Sequence, residues 1–205
     1  MGYMHEYRGV IHVHSTYSDG KGCIERIADA ANRTRADFVI LTDHNTMKAR
    51  EEGHEGWHGR VLLLVGEEIT PDTNADHYLA LGITSSIAPS RDPAKNVEAV
   101  RKQGGIGIVA HPTAGVFVKG EYVEYPWTNW EAGPFSGIEI WNHIYDITGK
   151  SKNIFQLALY ALFPWLSPYG PEESVLETWD YYVSQKGRRI VAVGGVDAHG
   201  IIGDY

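Results

Sequence analysis

The sequence predicts an α/β domain in which a parallel sheet or barrel is covered by helices. Short runs rich in Val, Ile and Leu alternate along the chain with segments whose apolar residues recur at helical spacing. The chain has 205 residues, of which 43% are hydrophobic, enough for one core and for a single domain over residues 1–205. The single cysteine excludes a scaffold held together by internal disulfides.

Seven predicted strands are short. The run Val61–Val65 contains no polar residue, which is typical of a strand buried on both faces. The full set of predicted strands is Val10–His14, Phe38–Leu41, Val61–Val65, His77–Ile83, Ile106–Ala110, Ile138–Trp141 and Ile190–Val193.

Helices are predicted between the strands. A first helix covers Ile24–Ala31, and Cys23 at its start is interpreted as a small core residue. Another helix begins with Pro93 in its first turn and ends before Gly104. Two further helices are predicted near Asn153–Leu162 and Glu172–Gln185.

Composition excludes several classes of partner. Lys and Arg total 18 against 26 Asp and Glu, and the net charge of −8 argues against a long nucleic-acid partner. The longest apolar run, Ile154–Leu166, contains Gln156 and Pro164 and is too short to span a bilayer, so no membrane partner is expected. No signal-peptide pattern is present, so a cytoplasmic location is expected, with a separate export signal left open.

The ten histidines are the most informative residues. His12 and His14 are two residues apart on the first strand, so their side chains are expected on one face, with Ile11 and Val13 towards the helices. Asp19 follows in a turn at the end of the same strand. Two buried imidazoles are costly unless something binds them, and imidazole with carboxylate is a donor set for Zn²⁺, Mn²⁺ and Fe²⁺.

Potential metal ligands also adjoin most of the other predicted strands. Reactive residues in α/β folds gather at the carboxyl ends of the strands, so these side chains are expected to meet in one site. They are Asp43 and His44, Glu67 and Glu68, His77, His111, and Asp197 and His199.

Together these motifs resemble the PHP (polymerase and histidinol phosphatase) superfamily over residues 12–199. The segment with Gly20 and the Arg26–Ala31 helix most resembles the stand-alone branch called carbaryl-hydrolase-like. The resemblance implies a distorted (β/α)7 TIM-like barrel. Members usually continue beyond the Asp-x-His motif, so either the closing helix is dispensable here or the chain is a fragment of a longer protein. The matching motifs are His12-Val13-His14, Ser18-Asp19-Gly20, Thr42-Asp43-His44, Gly66-x-Glu68, His77, Ala110-His111-Pro112 and Asp197-x-His199.

The resemblance further implies a trinuclear centre of Zn, Mn or Fe ions. Within the Glu67-Glu68 pair, the Gly-x-Glu spacing of the family selects Glu68, and Glu67 would replace it only if the strand were bulged. One ion would be held by His12, His14, Glu68 and Asp197, a second by Glu68, His77 and His111, and a third by Asp19, His44 and His199.

The activity implied is that of a phosphoesterase, in which a metal-bridging hydroxide attacks the phosphorus of a small phosphorylated substrate. Asp43 is the candidate catalytic residue, able to orient a ligand imidazole or assist proton transfer, or else it caps the strand end. Asn142 and His143 follow a strand and are candidate substrate contacts. Lys119, in the segment Thr113–Pro134 interpreted as a lid or specificity loop, is a third.

Three other functions stay open at this point. The first is a 3′–5′ exonuclease or oligonucleotide phosphodiesterase, and the second is a carboxyl or carbamate ester hydrolase. The third is a metal-binding accessory domain without activity. Glu139, an acidic residue within an apolar strand, is expected either to support a ligand or to serve in packing. Phosphomonoester and phosphodiester substrates are not separated by the sequence, and the oligomeric state is not predicted.

Overall fold

The protein is described by a computed structural model covering residues 4–118, 121–149, 151, 153–163, 166 and 170–200. It has the mixed α/β architecture that the sequence predicts. The strands are β1 (Gly9–Val13), β2 (Phe38–Leu41), β3 (Gly56–His58), β4 (Val61–Val65), β5 (Glu67–Ile69), β6 (Tyr78–Leu81), β7 (Ile106–Val109), β8 (Thr113–Val118), β9 (Glu121–Pro126), β10 (Gly137–Asn142) and β11 (Val191–Gly195). The helices are α1 (Ile24–Thr34), α2 (Lys48–Glu51), α3 (Pro93–Lys102), α4 (His143–Gly149), α5 (Ile154–Leu162) and α6 (Glu173–Asp180), the last continuing as a π-helical turn over Tyr181–Gln185.

The strands form two larger sheets and one hairpin. The strand orders are β1-β2-β4-β3 and β11-β10-β7-β6-β5, and β8 pairs with β9. Strands β1, β2 and β4 run parallel, as do β7, β10 and β11, but β6 is antiparallel to both β5 and β7. The prediction of an entirely parallel sheet is therefore wrong around β6. The eight residues between β5 and β6, 70–77, are too few for a parallel crossover, which needs about a dozen or more.

Two isolated backbone bridges join the two larger sheets to each other. Val13 pairs in parallel with Ala198, and His44 pairs in parallel with Glu68. The backbone N–H of His14 donates to the carbonyl of Ala198 at 2.9 Å. Across the described residues the strands remain divided among three sheets and do not form one continuous closed sheet, so the closed barrel stays a prediction.

A β-bulge at His12 sets the direction of the side chains on β1. The pairing of β1 with β2 shifts between Ile11 and Val13, and His12 has a left-handed φ of 64°. Because of the extra residue, Val10 and Val13 face α1, whereas regular alternation predicts Ile11 and Val13 there. His12 and His14 are both completely buried on the opposite side, towards the centre of the molecule.

The helices follow the sequence pattern closely. In α3 the Asp92 side chain accepts a hydrogen bond from the Ala94 N–H at 3.1 Å, and Pro93 occupies the first turn. Val100 on its inner face is buried in the core. Cys23, interpreted above as a core residue, is instead exposed, because it precedes the first turn of α1 rather than lying on its buried face.

The segment predicted as a lid forms the hairpin β8–β9, in which Thr113 pairs with Pro126. Trp127 just beyond it is buried and packs against Tyr78, with ring centroids 5.6 Å apart, so the end of the segment belongs to the core. Lys119 lies outside the described residues. Within the described part of the chain, none of the helices combines the length and hydrophobicity needed to cross a membrane.

Candidate metal centre

The ends of the strands place nine potential metal ligands around one cavity of about 190 Å³ or directly beneath it. Their donor atoms fall into overlapping groups, within each of which all donors lie within 4.8 Å of one another. Three of these groups contain the three ligand sets implied by the family resemblance, with His14 also close to the third set. The nine residues are His12, His14, Asp19, His44, Glu68, His77, His111, Asp197 and His199.

Glu68 on β5 lies at the middle of this cluster and is 1% exposed. Its Oε1 lies 2.8 Å from Nδ1 of His77 and 3.2 Å from Nε2 of His111. Its Oε2 lies 3.2 Å from Nε2 of His12 and 3.3 Å from Nε2 of His14. The two oxygens of one carboxylate thus face two separate groups of imidazoles.

The adjacent Glu67 points away from the cluster. It is also buried, but it accepts hydrogen bonds from the Ser86 hydroxyl at 2.6 Å and the Ile87 N–H at 2.7 Å. Successive residues of a strand face opposite sides, so only Glu68 of the pair can reach the imidazoles.

Asp197 completes the group formed by His12, His14 and Glu68. Its Oδ1 lies 3.0 Å from Nε2 of His14 and 3.3 Å from Nε2 of His12. Asp197 follows β11, and its proximity to β1 comes from the backbone pairing between Val13 and Ala198.

A buried carboxylate, Glu139 on β10, orients two of the cluster histidines. Its Oε1 accepts from Nδ1 of His12 at 2.8 Å, and its Oε2 accepts from the backbone N–H of His111 at 2.8 Å. Nε2 of His12 is thereby left facing Glu68 and Asp197. Gly195 makes room for the carboxylate, since a Cβ at that position would lie 1.7 Å from Oε1. Of the alternatives for Glu139, these contacts favour support of a ligand.

The third group lies nearer the surface. Asp19 is more than half exposed, and its carboxylate lies 3.4 Å from Nε2 of His199 and 3.7 Å from Nε2 of His44. Nδ1 of His199 donates to the backbone carbonyl of Asp197 at 2.7 Å, and Nδ1 of His44 lies 2.6 Å from Oγ1 of Thr70. Both histidines are therefore held with Nε2 towards Asp19.

Charge is concentrated in this cluster. Burial lowers the pKa of His14, but hydrogen bonds and charges from Asp197 and Glu68 outweigh it and raise that pKa to about 9. Burial raises the pKa of Glu68, yet His12 and His77 hold it well below the usual range. Hydrogen bonding to His199 likewise overcomes burial and lowers the pKa of Asp19 to about 2. The carboxylates thus stay ionised and require positive charge beside them.

These residues fit a set of divalent cations. Buried imidazole nitrogens and carboxylate oxygens converge on shared points, and this N/O donor set suits Zn²⁺, Mn²⁺ or Fe²⁺. The imidazole tautomers are constrained by hydrogen bonds on the opposite ring nitrogen of His12, His44 and His199. Nδ1 of His111, which is buried, has no hydrogen-bond partner in the described part of the protein.

The backbone is left-handed at several of these strand ends. His12, His111 and Asp197 have φ values of 64°, 26° and 53°. Asn45 follows His44 and Asp76 precedes His77, and both are left-handed as well. Non-glycine residues rarely adopt this region, and when they do they cluster at functional sites.

The other predicted site residues lie around the cluster rather than in it. The Asp43 carboxylate accepts hydrogen bonds from the Ser15 N–H and hydroxyl, both at 2.7 Å, and from the Ser18 hydroxyl at 2.6 Å. Of its two predicted roles, these contacts favour a cap on the strand end. The Asn142 side-chain amide donates to Glu139 at 3.1 Å and to Asp197 at 3.4 Å. His143 begins α4 and does not line the cavity, and Lys119 is not described.

Two tyrosines also line the cavity and were not predicted as site residues. The Tyr145 ring packs on His111 with centroids 4.7 Å apart, and the Tyr125 ring lies 5.5 Å from His77. Tyr125 lies in the segment interpreted as a lid, which was a usable signal. Tyr145 is three residues beyond Asn142, and it reaches the cavity because α4 begins at His143, a position that no sequence motif marks.

No family model matches the sequence. An uncharacterized protein of Methanocaldococcus jannaschii is 28% identical over 115 residues, covering 50% of this chain and 66% of that protein.

Three solved structures share the fold. A two-domain protein of Bacteroides vulgatus, containing a predicted PHP-like metal-dependent phosphoesterase, has a TM-score of 0.58 and 19% identity over 97% of this chain, which spans only 54% of that protein. A candidate metal-dependent phosphoesterase of Bifidobacterium adolescentis has a TM-score of 0.55 and 14% identity, with 95% and 89% of the chains covered. An amidohydrolase of Chromobacterium violaceum, with bound sulfate and no metal, has a TM-score of 0.51 and 15% identity, with 94% and 87% covered. The carbaryl-hydrolase-like branch stays a prediction. The chain has the fold of the PHP-like metal-dependent phosphoesterases, the superfamily that its motifs resemble.

Proposed function

We propose that the chain is a PHP-superfamily phosphoesterase that holds three divalent ions and hydrolyses a small phosphorylated molecule. The observation that carries the proposal is the position of Glu68, whose two oxygens face two different groups of imidazoles. A carboxylate so placed can bridge two ions. We also propose that the joined strands correspond to the distorted (β/α)7 barrel of the superfamily.

The proposed ligand sets follow the groups of donor atoms. Zn²⁺, Mn²⁺ and Fe²⁺ are the candidate ions. The first ion would be held by His12, His14, Glu68 and Asp197, the second by Glu68, His77 and His111, and the third by Asp19, His44 and His199.

Divalent ions bound at these positions would lower the pKa of water and neutralise charge on the phosphate ester. The protein's own contribution is to hold the donors in a fixed arrangement. Glu139 keeps the proton of His12 on Nδ1, and the carbonyl of Asp197 keeps that of His199 on Nδ1. Because Glu68 and Asp197 are almost completely buried, competing hydration of the donors is limited.

The adjacent pair Glu67 and Glu68 allows a matched test. Protein reconstituted with Mn²⁺ or Zn²⁺ should bind close to three equivalents by elemental analysis and hydrolyse an aryl phosphate. Glu68→Gln should lose at least one equivalent of metal and the activity, because the amide presents only one oxygen. Glu67→Gln, equally buried but facing away, should retain both. Full metal content and activity in Glu68→Gln would contradict the proposal.

Hydrolysis of a carboxyl ester, carbamate or amide is the second candidate. The similarity of this fold to the Chromobacterium violaceum amidohydrolase supports it. Parallel assays with aryl phosphate, aryl acetate and aryl carbamate would separate the two functions. Hydrolysis of oligonucleotides alone would favour an exonuclease instead, although a net charge of −8 argues against a long nucleic acid.

A further inference from the structure

The residues lining the metal cavity divide into two kinds. Seven of the nine described lining residues are proposed metal ligands, and the other two are Tyr125 and Tyr145. No lysine or arginine is present among the described lining residues. The two phenols are therefore the protein's remaining hydrogen-bond donors in this wall.

Tyr145 is firmly placed against the cluster. Its ring packs on His111 and lies 6.0 Å from the ring of Tyr125. Its backbone N–H donates to Oδ1 of Asn142 at 3.3 Å, while the amide nitrogen of Asn142 donates to Asp197 at 3.4 Å. The position of Tyr145 is thus coupled through Asn142 to a proposed ligand.

Tyr125 is held near the cluster by a separate set of contacts. The Asp76 carboxylate accepts from the Thr128 N–H at 2.6 Å and from its hydroxyl at 2.8 Å. Asp76 directly precedes His77, and its N–H donates to the carbonyl of Pro126 at 3.0 Å. These bonds fix the end of the hairpin beside His77 and keep Tyr125 at the edge of the cavity.

Neither phenol hydroxyl has a hydrogen-bond partner among the described residues, although both residues line the cavity. A phenol donates readily to an anionic oxygen. We propose that the Tyr145 hydroxyl binds a phosphoryl oxygen of the substrate, and that Tyr125 contacts the ester group at the side of the hairpin. The inference rests on the proposed phosphoesterase function and adds the substrate contacts that this function needs.

The test compares three phenylalanine variants loaded with Mn²⁺. Metal content is measured by elemental analysis and inorganic phosphate binding by calorimetry, so that neither readout depends on turnover. Tyr145→Phe should keep its metal and weaken phosphate binding by about 10- to 100-fold, the usual effect of losing a hydrogen bond to a charged group. Tyr125→Phe should raise KM for an aryl phosphate more than it weakens phosphate binding. Tyr122→Phe, on the same hairpin but half-exposed and outside the metal cavity, should match the wild type.

A second measurement records tyrosine absorbance in the wild type and in Tyr145→Phe. Phosphate binding should perturb tyrosine absorbance, and Tyr145→Phe should lack that change. Phosphate binding by Tyr145→Phe within twofold of the wild type, or no change in wild-type tyrosine absorbance, would overturn the inference. If the wild type binds phosphate through Tyr145 but hydrolyses no phosphate ester, the proposed function fails and the Tyr145 contact stands.

Discussion

Replacing Glu139 by glutamine tests how the protein controls the donor atom of His12. Both carboxylate oxygens accept hydrogen bonds, Oε1 from His12 and Oε2 from His111 and Asn142. Glutamine has a single carbonyl oxygen, and the backbone N–H of His111 can only donate. The oxygen should therefore turn towards His111, and the amide NH₂ would then face Nδ1 of His12.

In that orientation Nδ1 of His12 must accept a hydrogen bond, so the ring proton moves to Nε2. Nε2 faces Glu68 at 3.2 Å and Asp197 at 3.3 Å, and in this tautomer it has no lone pair for an ion. The reverse amide orientation leaves the buried N–H of His111 unpaired at a cost of about 1–3 kcal/mol. This cost disfavours that orientation by a factor of about 5 to 150 in the equilibrium between the two. We expect Glu139→Gln to weaken metal binding by about 10- to 100-fold, in line with the loss of other carboxylates that orient ligand histidines.

The assay is a competition titration with a chelator of known affinity, alongside thermal unfolding to confirm that the variant is folded. Glu67→Gln is the matched control, because it changes a buried glutamate whose carboxylate accepts hydrogen bonds from Ser86 and Ile87 rather than from a histidine. Metal affinity in Glu139→Gln within about twofold of the wild type would refute the proposed control of the His12 tautomer.

Three further predictions concern the same region. Gly195→Ala should lower metal affinity as Glu139→Gln does, because a Cβ would lie 1.7 Å from Oε1 of Glu139; chelator titration checks this, and unchanged affinity would argue against it. Asp43→Asn should lower the free energy of unfolding in urea by about 1–3 kcal/mol and leave turnover by the folded protein intact, whereas lost turnover at unchanged stability would indicate a catalytic role. Without metal, the folded-state pKa of His14, raised from 6.5 to about 9, should contribute stability that is full below pH 6.5 and lost as pH rises through 9. Urea titrations of chelator-treated protein across that range should show the decrease, His14→Gln should reduce it, and a rise with pH would contradict the assignment.

Local pattern was sufficient to predict seven of the eleven strands in the described part of the chain, to within two residues at each end. Apolar runs such as Phe38–Leu41 and Val61–Val65 form strands with the predicted bounds, because a buried strand ends where polar residues begin. Because the carboxyl ends of parallel strands meet at one edge of a sheet, the sequence also predicted that His14, Glu68 and His111 lie close together. In the structure the donor atoms of these three residues lie in the same cluster as those of the other predicted ligands.

Contacts between distant parts of the chain could not be predicted in the same way. Glu139 was visible as an acidic residue in an apolar strand, but its hydrogen bond to His12 joins positions 127 residues apart. The bulge at His12 depends on the pairing of β1 with β2, and regular alternation misplaced Ile11. The hairpin was missed because the segment Thr113–Pro134 lacks a clear period of two, and Tyr125 was placed beside His77 by contacts of Asp76.

The left-handed backbone at His12, His111 and Asp197 has a consequence for dissecting the site by mutagenesis. An alanine at these positions removes a donor atom. It also places a side chain that cannot form a local hydrogen bond in the left-handed conformation. The measured effect therefore combines the lost donor atom with a backbone cost. Asparagine tolerates this conformation better than other residues with a side chain. Asp197→Asn therefore isolates the loss of charge, whereas Asp197→Ala combines it with backbone strain. The difference in unfolding free energy between the two variants would measure the cost of holding a residue without a polar side chain in the left-handed conformation at position 197.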